Sequence, residues 1–289
     1  MNRENYLNKI STLLNDATKF EKCKRPNPNS TKDKINRIAK PLKESNASLY
    51  KKLFQTGTFS CGHLYGLPKL HKSTTDPPLR PIISMVGTAT HNVAKFLNSI
   101  IAEYLDSPYS IKSSPELLLK FQELRPSSIR EFYSLDVESL FTNVPVQETI
   151  EIICNQVYNH ETIAPPDLDR SMLNELLTIC TTQTPFEFDG SVYIQKNGVS
   201  MGSPLGPTFA EFYMANLEKT VFDSSCPHQP KFYTRYVDDT LTIFENADHM
   251  KSFMQRLKES SCLNFTCEKP KCDTFQFLDV EFSVDPATS

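Results

Sequence analysis

The sequence contains no apolar run long enough to cross a bilayer. Its most apolar helical candidate, FLNSIIAEYL, is short and interrupted by polar residues. The N-terminal stretch MNRENYLNKISTLL also lacks the basic segment followed by an apolar segment that marks a signal peptide. We therefore expect an intracellular protein that has no membrane partner.

Closely spaced cysteine pairs are missing as well. The eight cysteines are scattered along 289 residues, and the most regular group, Cys262, Cys267 and Cys272, has neither a CxxC pair nor a nearby histidine. A scattered set of this kind favours free thiols in a reducing compartment and disfavours a zinc site.

Glycine is scarce, with eight residues in the whole chain, yet three of them fall within nine positions at Gly198, Gly202 and Gly206. Because glycine has no Cβ, such a loop lets the backbone approach a base pair or a phosphate closely. A glycine-rich loop by itself is weak evidence for such a role.

Charge is unevenly distributed along the chain, although the net charge is only −3. Residues 1–72 hold 15 lysines and arginines against 5 acids, which gives +10, and residues 73–289 hold 16 against 29, which gives −13. A basic N-terminal part can track phosphates while an acidic remainder gathers divalent cations. A solvated basic tail beside an ordinary acidic domain would give the same numbers.

Helical stripes interleaved irregularly with short strand-like runs predict an α+β fold. Residues 1–58 are expected to form a basic, loosely packed extension. The predicted helices cover residues 90–105, 114–124, 146–158, 167–182 and 207–221, with one more capped by Asn246 or Asp248. Strands are predicted into Asp136, on both sides of Asp189-Gly190, on both sides of the aspartate pair in YTRYVDDTLTIF, and as two strands joined at Lys269-Pro270.

The neighbouring carboxylates Asp238 and Asp239 stand between two apolar, strand-forming runs. Two like charges about 5 Å apart repel by roughly 3 kcal/mol at an effective dielectric near 20, so the pair needs a cation or open water. A simple turn is one interpretation, because aspartate suits tight reversals. The central-strand character of both flanks favours the other, in which the pair emerges from a buried sheet to meet Mg²⁺.

A third carboxylate of this kind ends another predicted strand, in FYSLDVESLF at Asp136. Paired metal ions held by such carboxylates lower the pKa of a primer 3′-hydroxyl, orient an α-phosphate and stabilise the leaving pyrophosphate. The three acids therefore point to nucleotidyl transfer with two Mg²⁺ ions, which Mn²⁺ could replace.

Six blocks in order carry a resemblance to a known family: LYGLPKLHK, PPLRPIIS, FYSLDVESLFTNVP, NGVSMGSPLGP, YVDD and FQFLDV. Together they resemble the reverse-transcriptase domain of Penelope-like retroelements, which are relatives of telomerase. The resemblance covers about residues 59–284. It implies a right-hand polymerase with fingers at 59–131, an antiparallel palm sheet packed on helices at 132–289, and a fingers-like insertion at about 159–185.

The resemblance also implies roles for individual residues. Asp136 and Asp238 match the catalytic, metal-binding palm carboxylates, and Asp239 matches the acid beside them that assists metal binding or geometry. Phe141 matches the steric gate, an aromatic ring that excludes a ribose 2′-hydroxyl, although a core aromatic is the alternative. Arg80 resembles the arginine that grips the incoming triphosphate, a task suited to a planar cation with several donors.

Further positions carry weaker implications. Lys69 and Lys72 are candidates for contacts with phosphates or template, against the alternative of surface lysines. Gly202, Ser203 and Pro204 match positions at the nascent base pair. Lys269 or Lys271 would be the general acid that protonates pyrophosphate, unless both are merely solvated turn residues. Phe277, Leu278 and Asp279 resemble the primer-grip hairpin, although the first two could equally belong to the sheet core.

The implied activity is RNA-templated DNA synthesis from a primer 3′ end, with an RNA template, a DNA primer and dNTPs as partners and the nucleus as location. We expect no thumb and no GIY-YIG nuclease in this sequence, which stops soon after the primer-grip motif. One alternative is a non-catalytic nucleic-acid-binding remnant of a retroelement. Another is a two-metal nuclease, against which Phe141 and Arg80 speak, because hydrolysis needs neither a sugar gate nor a triphosphate grip.

Overall fold

The computed structural model describes residues 1–24, 27–70, 72–124, 131–223, 227–269 and 274–283. These residues form an α+β fold, as the sequence predicts. The helices are α1 (Arg3–Leu14), α2 (Pro28–Ala39), α3 (Leu42–Ser45), α4 (Ala47–Leu53), α5 (His91–Ile101), α6 (Ser114–Gln122), α7 (Leu140–Asn143), α8 (Val146–Tyr158), α9 (Arg170–Thr182), α10 (Gly206–Val221) and α11 (Ala247–Ser260), with a short 3-10 helix at Ala102–Tyr104.

The strands are β1 (Phe20–Lys22), β2 (Gly62–Pro68), β3 (Leu79–Ser84), β4 (Glu131–Val137), β5 (Pro185–Phe188), β6 (Ser191–Gln195), β7 (Phe232–Tyr236), β8 (Asp239–Phe244), β9 (Phe265–Glu268), β10 (Thr274–Phe277) and β11 (Val280–Ser283). The chain divides into two compact units. The first comprises residues 1–105 and 141–210, and the second comprises residues 106–140 and 211–289. The predicted boundaries at residues 58/59 and 131/132 concern the fingers and the palm, and they stay predictions.

The first unit contains a five-stranded sheet in the order β1-β6-β5-β2-β3. Its pairings are antiparallel except between β2 and β5, which run parallel. The turn between β5 and β6 has positive φ at Asp189 (45°) and Gly190 (70°), as a two-residue type I′ hairpin requires. The predicted reversal at Asp189-Gly190 is therefore confirmed. The two edge strands of this sheet are β1 and β3.

The prediction of a loosely packed extension at residues 1–58 is wrong. Ile10, Ile35 and Leu53 are fully buried. Ile10 and Phe20 join a hydrophobic cluster with residues of β2, β3 and β5, and β1 pairs with β6 as an outer strand of the sheet. Lysines and arginines dominate the surface of this segment, so its composition concealed the short apolar stripes that anchor it in the first unit.

The second unit contains a four-stranded antiparallel sheet in the order β7-β8-β4-β9. Because side chains alternate along a strand, this sheet has two distinct faces. One face carries Tyr133, Arg235 and Phe244, which are buried, and the ring of Phe244 lies 5.5 Å from that of Phe253 on α11. The other face carries the aspartates at one end and an apolar cluster at the opposite end.

The C-terminal strands pair differently from the prediction of two strands joined at Lys269-Pro270. β9 pairs with β4 in the four-stranded sheet, whereas β10 and β11 form a separate hairpin. The ring of Phe275 stacks on Phe132 at 6.3 Å, so this hairpin covers the apolar end of the sheet face that also bears the aspartates. Apolar rings at alternating positions determine this pairing. The helices that the structure describes include none that is long and apolar enough to span a membrane.

Candidate active site

The strand register brings two of the three predicted carboxylates side by side. Asp136 on β4 lies directly opposite Asp239 on β8, at the two central strands of the sheet. Such partners have Cα atoms about 4.5–5.5 Å apart and side chains on the same face. The row continues to Tyr236 on β7 and Thr266 on β9. Asp136 is half-buried and Asp239 is exposed, so this end of the sheet face is open to solvent.

Asp238 occupies the two-residue turn between β7 and β8. The residue before it, Val237, has φ of +58°, so the first central residue of the turn is left-handed, as in a type II′ hairpin. A β-branched residue rarely adopts this conformation, which costs about 1–3 kcal/mol and must be held by its surroundings. The carbonyl of Asp238 accepts a hydrogen bond from the amide of Val137 at 3.1 Å, which attaches the turn to β4.

The carboxylates fit a hard divalent cation by chemistry and by position. Within the described ranges, no group of three or more His, Cys, Asp or Glu side chains stands in a ready metal-binding arrangement. Carboxylate oxygens are nevertheless the ligands that Mg²⁺ prefers, and it usually takes one or two of them with substrate phosphates. The backbone places all three acids within one hairpin and one neighbouring strand. Rotation of the side chains is what their carboxylates need to converge on bound ions.

A buried ionic cluster lies on the other face of the sheet, beneath this turn. Arg235 on β7 is 0% exposed, and its guanidinium forms paired contacts with two glutamates of α10. Nε and Nη2 donate to the carboxylate of Glu218 at 2.5 and 3.1 Å, and Nη1 and Nη2 donate to that of Glu211 at 3.0 Å each. Nη1 also donates to the carbonyl of Val237 at 3.0 Å.

Burial and pairing act against each other on the pKa values of this cluster. Burial raises the pKa of Glu218, and the neighbouring Arg235 offsets this only in part. Burial also acts on Glu211, but there the hydrogen bonds from Arg235 prevail and lower its pKa. The pKa of Arg235 is raised, because the two glutamates outweigh the effect of burial. The arginine therefore stays charged under all ordinary conditions.

This cluster was not predicted, although the sequence carries two signals for it. Arginine is unusual in the middle of an apolar strand such as YTRYV, and α10 is otherwise rich in apolar residues. Glu211 and Glu218 are seven positions apart, which is two helical turns and therefore the same face. An arginine in a buried strand just before the aspartates predicts acidic partners for it on a neighbouring element.

The glycine-rich segment before α10 is shaped by close backbone packing inside the first unit. A Cβ at Gly202 would lie 2.1 Å from the carbonyl oxygen of Ile83, and one at Gly198 would lie 2.6 Å from that of Thr142. Gly198 also has φ of +73°. At Gly206 the obstacle is the carbonyl of Ser200, at 2.5 Å. Packing against the protein's own backbone therefore accounts for these glycines before any nucleotide is considered.

Replacing Gly202 by alanine should lower the free energy of unfolding by about 3 kcal/mol, because the new methyl group overlaps the Ile83 carbonyl and strands must shift. Gly57→Ala is the control, since its φ is +90° but nothing lies within 4 Å, so only the left-handed backbone costs about 1 kcal/mol. Chemical denaturation measures both. If both substitutions lowered the free energy of unfolding equally, the protein would have relieved the crowding at Gly202 without loss of stability.

Other predicted nucleotide-site residues also belong to the first unit. Ser203 is buried, and its hydroxyl accepts a hydrogen bond from the amide of Leu205 at 3.3 Å, while Pro204 is half-buried. Phe141 is the second residue of α7 and half-buried, and its carbonyl accepts from the amide of Val199 at 2.7 Å. The gate candidate is thus tied to the glycine-rich segment.

The predicted phosphate-binding cations lie on and beside the β2–β3 hairpin of the first unit. Arg80 is exposed on β3, opposite Leu67. Lys69 follows the end of β2 with its amide bonded to the carbonyl of Pro78 at 2.9 Å, and the amide of Lys72 bonds to the carbonyl of Lys69 at 3.0 Å. The structure thus places these three residues around one end of the hairpin, beside the edge strand β3.

Neither general-acid candidate gains support. Lys269 forms an ion pair with Glu131 at 3.1 Å and lies over the ring of Tyr133. Glu131 begins β4 and Asp136 stands five residues later, which is about 16 Å along a strand and on the opposite face. The ammonium group of Lys269 is therefore too far from the aspartates to protonate a leaving group there. Lys271 lies outside the described residues.

The primer-grip candidates lie at the end of β10, where Phe277 is the last residue, and in the turn to β11, which Leu278 and Asp279 form. Phe277 is buried in the cluster that contains Phe132 and Leu241, so its ring belongs to the sheet core. Leu278 has φ of +53° and packs against the same cluster, and Asp279 is exposed. Of the three, only Asp279 presents its side chain to solvent.

Comparison with known proteins agrees with this architecture. A family profile described as reverse transcriptase (RNA-dependent DNA polymerase) matches residues 71–282. Telomerase from Candida albicans, solved in complex with a fragment of telomeric RNA, matches with a TM-score of 0.63 at 13% identity over 97% of this chain and 49% of that one. No curated protein sequence matches this chain significantly.

Two further structures share the fold. Apo telomerase from Candida tropicalis, truncated from its C-terminal domain, gives a TM-score of 0.59 at 13% identity over 97% of this chain and 58% of that one. The Sicinivirus 3Dpol RNA-dependent RNA polymerase gives 0.50 at 12% identity over 89% and 52%. The chain therefore spans about half the length of the telomerases it resembles, and at these identities the likeness concerns the fold. With the profile match over most of its length, the chain belongs to the reverse transcriptase (RNA-dependent DNA polymerase) family.

Proposed function

We propose that this protein extends a primer 3′ end with dNTPs on an RNA template by two-metal nucleotidyl transfer. The observation that carries the proposal is the pairing of Asp136 with Asp239 across the two central strands, beside a turn that presents Asp238. Membership of the reverse transcriptase family supplies the class of reaction. The matching order of the six sequence blocks supports the finer assignment to the Penelope-like branch, and with it a nuclear retroelement enzyme.

In this proposal the three carboxylates hold two Mg²⁺ ions, or Mn²⁺ in their place. Ions bound there would lower the pKa of the primer 3′-hydroxyl and would neutralise charge on the triphosphate. The anionic side chains of Asp136 and Asp238 contribute most of the ligand charge, and Asp239 orients the pair from the first position of β8. No described residue is assigned as general acid, because Lys269 is engaged with Glu131.

The first unit would supply substrate selection. Arg80 is proposed to hold the incoming triphosphate, for which a planar guanidinium with several donors is suited. Lys69 and Lys72, at the same hairpin, would contact template or phosphate oxygens. The segment at Gly202, Ser203 and Pro204 would lie near the nascent base pair. The predicted fingers at 59–131 and palm at 132–289 stay part of this proposal.

Replacing Phe141 by alanine should let the enzyme incorporate ribonucleotides. An aromatic ring at the gate excludes the ribose 2′-hydroxyl by volume, so its removal is expected to raise rNTP use relative to dNTP use by about 100-fold. Primer extension with each rNTP–dNTP pair measures the ratio of kcat/KM values. Phe141→Tyr keeps the ring and is the control. An unchanged ratio in the alanine variant would refute the gate and assign Phe141 to the core.

A further inference from the structure

The guanidinium of Arg235 uses all five of its N–H donors within the second unit. Four contacts reach the carboxylates of Glu211 and Glu218, and one reaches the carbonyl of Val237. Nη2 makes an additional, longer contact of 3.4 Å with the hydroxyl oxygen of Ser107. The hydroxyl of Ser107 donates to Glu211 at 2.7 Å and fixes that glutamate in turn. Two paired carboxylates on one guanidinium fix its plane as well as its position. Its remaining donor is therefore aimed at the turn in a set direction.

The carbonyl that this donor reaches belongs to the strained residue of the turn. Val237 has φ of +58°, and its peptide bond continues directly into Asp238. The next peptide carbonyl, that of Asp238, is held at 3.1 Å by the amide of Val137 on β4. Hydrogen bonds thus hold two successive peptide planes in place, one through Arg235 of the ionic cluster and one through Val137 of the central strand β4. These two planes set the directions in which the side chains of Asp238 and Asp239 leave the backbone.

The backbone of Arg235 is fixed independently of its side chain. Its amide donates to the carbonyl of Tyr109 at 2.9 Å, and its carbonyl accepts from the amide of Ile111 at 2.8 Å. The segment at 109–111 therefore protects the outer edge of β7 next to the turn. The hydroxyl of Tyr233, two residues earlier on the same face, donates to Glu218 at 3.0 Å. Hydrogen bonds from the segment at 109–111 and from Tyr233 thus hold the cluster in addition to the ion pairs.

We propose that Arg235, with Glu211 and Glu218, is a positioning residue that fixes the turn and thereby the metal-binding geometry of Asp238 and Asp239. In this proposal Arg235 acts through the Val237 carbonyl and is not itself a ligand of substrate or metal. The proposal rests on the metal-dependent activity proposed above. Positioning partners behind metal ligands typically change metal affinity or activity by about 10–100-fold when they are removed.

The test is Arg235→Lys, which keeps the charge but cannot form five directed bonds. We expect the Mg²⁺ concentration for half-maximal primer extension to rise about 10-fold, with the KM for dNTP at saturating Mg²⁺ unchanged within about twofold. A second readout needs no turnover. The chain has no tryptophan, so luminescence of bound Tb³⁺ is sensitised by tyrosine, and Tyr236 lies in the aspartate row. The part of the luminescence that Asp238→Asn abolishes reports Tb³⁺ bound at the aspartates. In Arg235→Lys, half-saturation of this part should require a Tb³⁺ concentration about 10-fold higher than in the wild type.

The matched control is Arg256→Lys, which makes the same change at another arginine of the second unit. Arg256 donates to the carbonyl of Pro227 at 2.8 Å, away from the turn, so its loss is expected to leave both metal dependences unchanged. Glu211→Gln is the second variant, used where Arg235→Lys does not fold. It retains the shape of the side chain but weakens the paired contact, and it should shift both metal dependences in the same direction.

The outcomes separate this inference from the proposed function. Wild-type dependence on Mg²⁺ and Tb³⁺ in a folded Arg235→Lys or Glu211→Gln variant would overturn the positioning role while leaving the polymerase proposal intact. A wild-type protein that neither extends primers nor gives an aspartate-dependent Tb³⁺ signal would remove the proposed function and this inference together. A rise in dNTP KM with unchanged metal dependence would also overturn it, because that pattern belongs to substrate binding.

Discussion

Asp238→Asn should reduce Mg²⁺-dependent incorporation of dNTPs on a primed RNA template by about 1,000-fold or more. The substitution removes one negative charge from the turn while keeping the size of the side chain. Metal ions stabilise charge in such a transition state by several kcal/mol, and each 1.36 kcal/mol corresponds to a factor of ten. Nucleic-acid binding should persist, because phosphate contacts come from lysines and arginines elsewhere. A single-turnover primer-extension assay measures the rate.

Asp248→Asn is the matched control for this experiment. Asp248 is exposed at the start of α11 and pairs with Lys251 at 3.1 Å, so the same substitution there changes the net charge equally without touching the aspartate row. Its activity should equal that of the wild type. Undiminished activity in Asp238→Asn would remove the two-metal assignment. A wild-type protein that binds primed RNA without extending it would favour the non-catalytic remnant.

Glu218→Ala should lower the free energy of unfolding by about 3–5 kcal/mol, because removing one partner leaves a buried charge uncompensated. Arg235 is 0% exposed and would lose two of its contacts, and the hydroxyl of Tyr233 would lose its acceptor. Glu211, with 19% of its side chain exposed, stays as a single partner that cannot satisfy all donors. Urea denaturation followed by tyrosine fluorescence or circular dichroism measures the effect.

The neighbouring residue on α10 provides the control. Lys219 pairs with Asp106 at 3.3 Å, and both side chains are more than half exposed. Exposed ion pairs contribute little, so Lys219→Ala should change the free energy of unfolding by less than about 1 kcal/mol. A Glu218→Ala variant that is as stable as Lys219→Ala would mean that water or a rearranged side chain replaces the missing carboxylate.

Several elements of the fold could be predicted because their signals are local. The helix at Val146–Tyr158 begins and ends where its apolar stripe predicts. Of the two predicted caps of α11, Asn246 and Asp248, the structure has Asn246. The strands on both sides of the aspartate pair follow from runs of β-branched and aromatic residues. A pattern within ten or fifteen residues is enough for such elements, because their side-chain periodicity is set by the backbone itself.

Pairing between distant segments was harder to predict from the sequence. The prediction that the last strands join at Lys269-Pro270 failed because β9 finds its partner in β4, more than 120 positions earlier. The packed N-terminal segment was missed for a similar reason, since Ile10 and Phe20 are buried against β2, β3 and β5. Composition describes the surface of such a segment well, but burial depends on what the rest of the chain brings to it.

The sequence by itself was enough to predict the family and the fold class of this protein. Six ordered blocks, two of which contain the three aspartates, resemble a reverse transcriptase, and the family profile bears this resemblance out. The α+β pattern follows from residue type and local spacing. Only the tertiary structure decided which acids are neighbours, that Lys269 points away from them, and that Arg235 supports the turn from the other face. Each of these facts depends on strand register and on the alternation of side chains across a sheet, which fix a side chain's surroundings only when distant strands have paired.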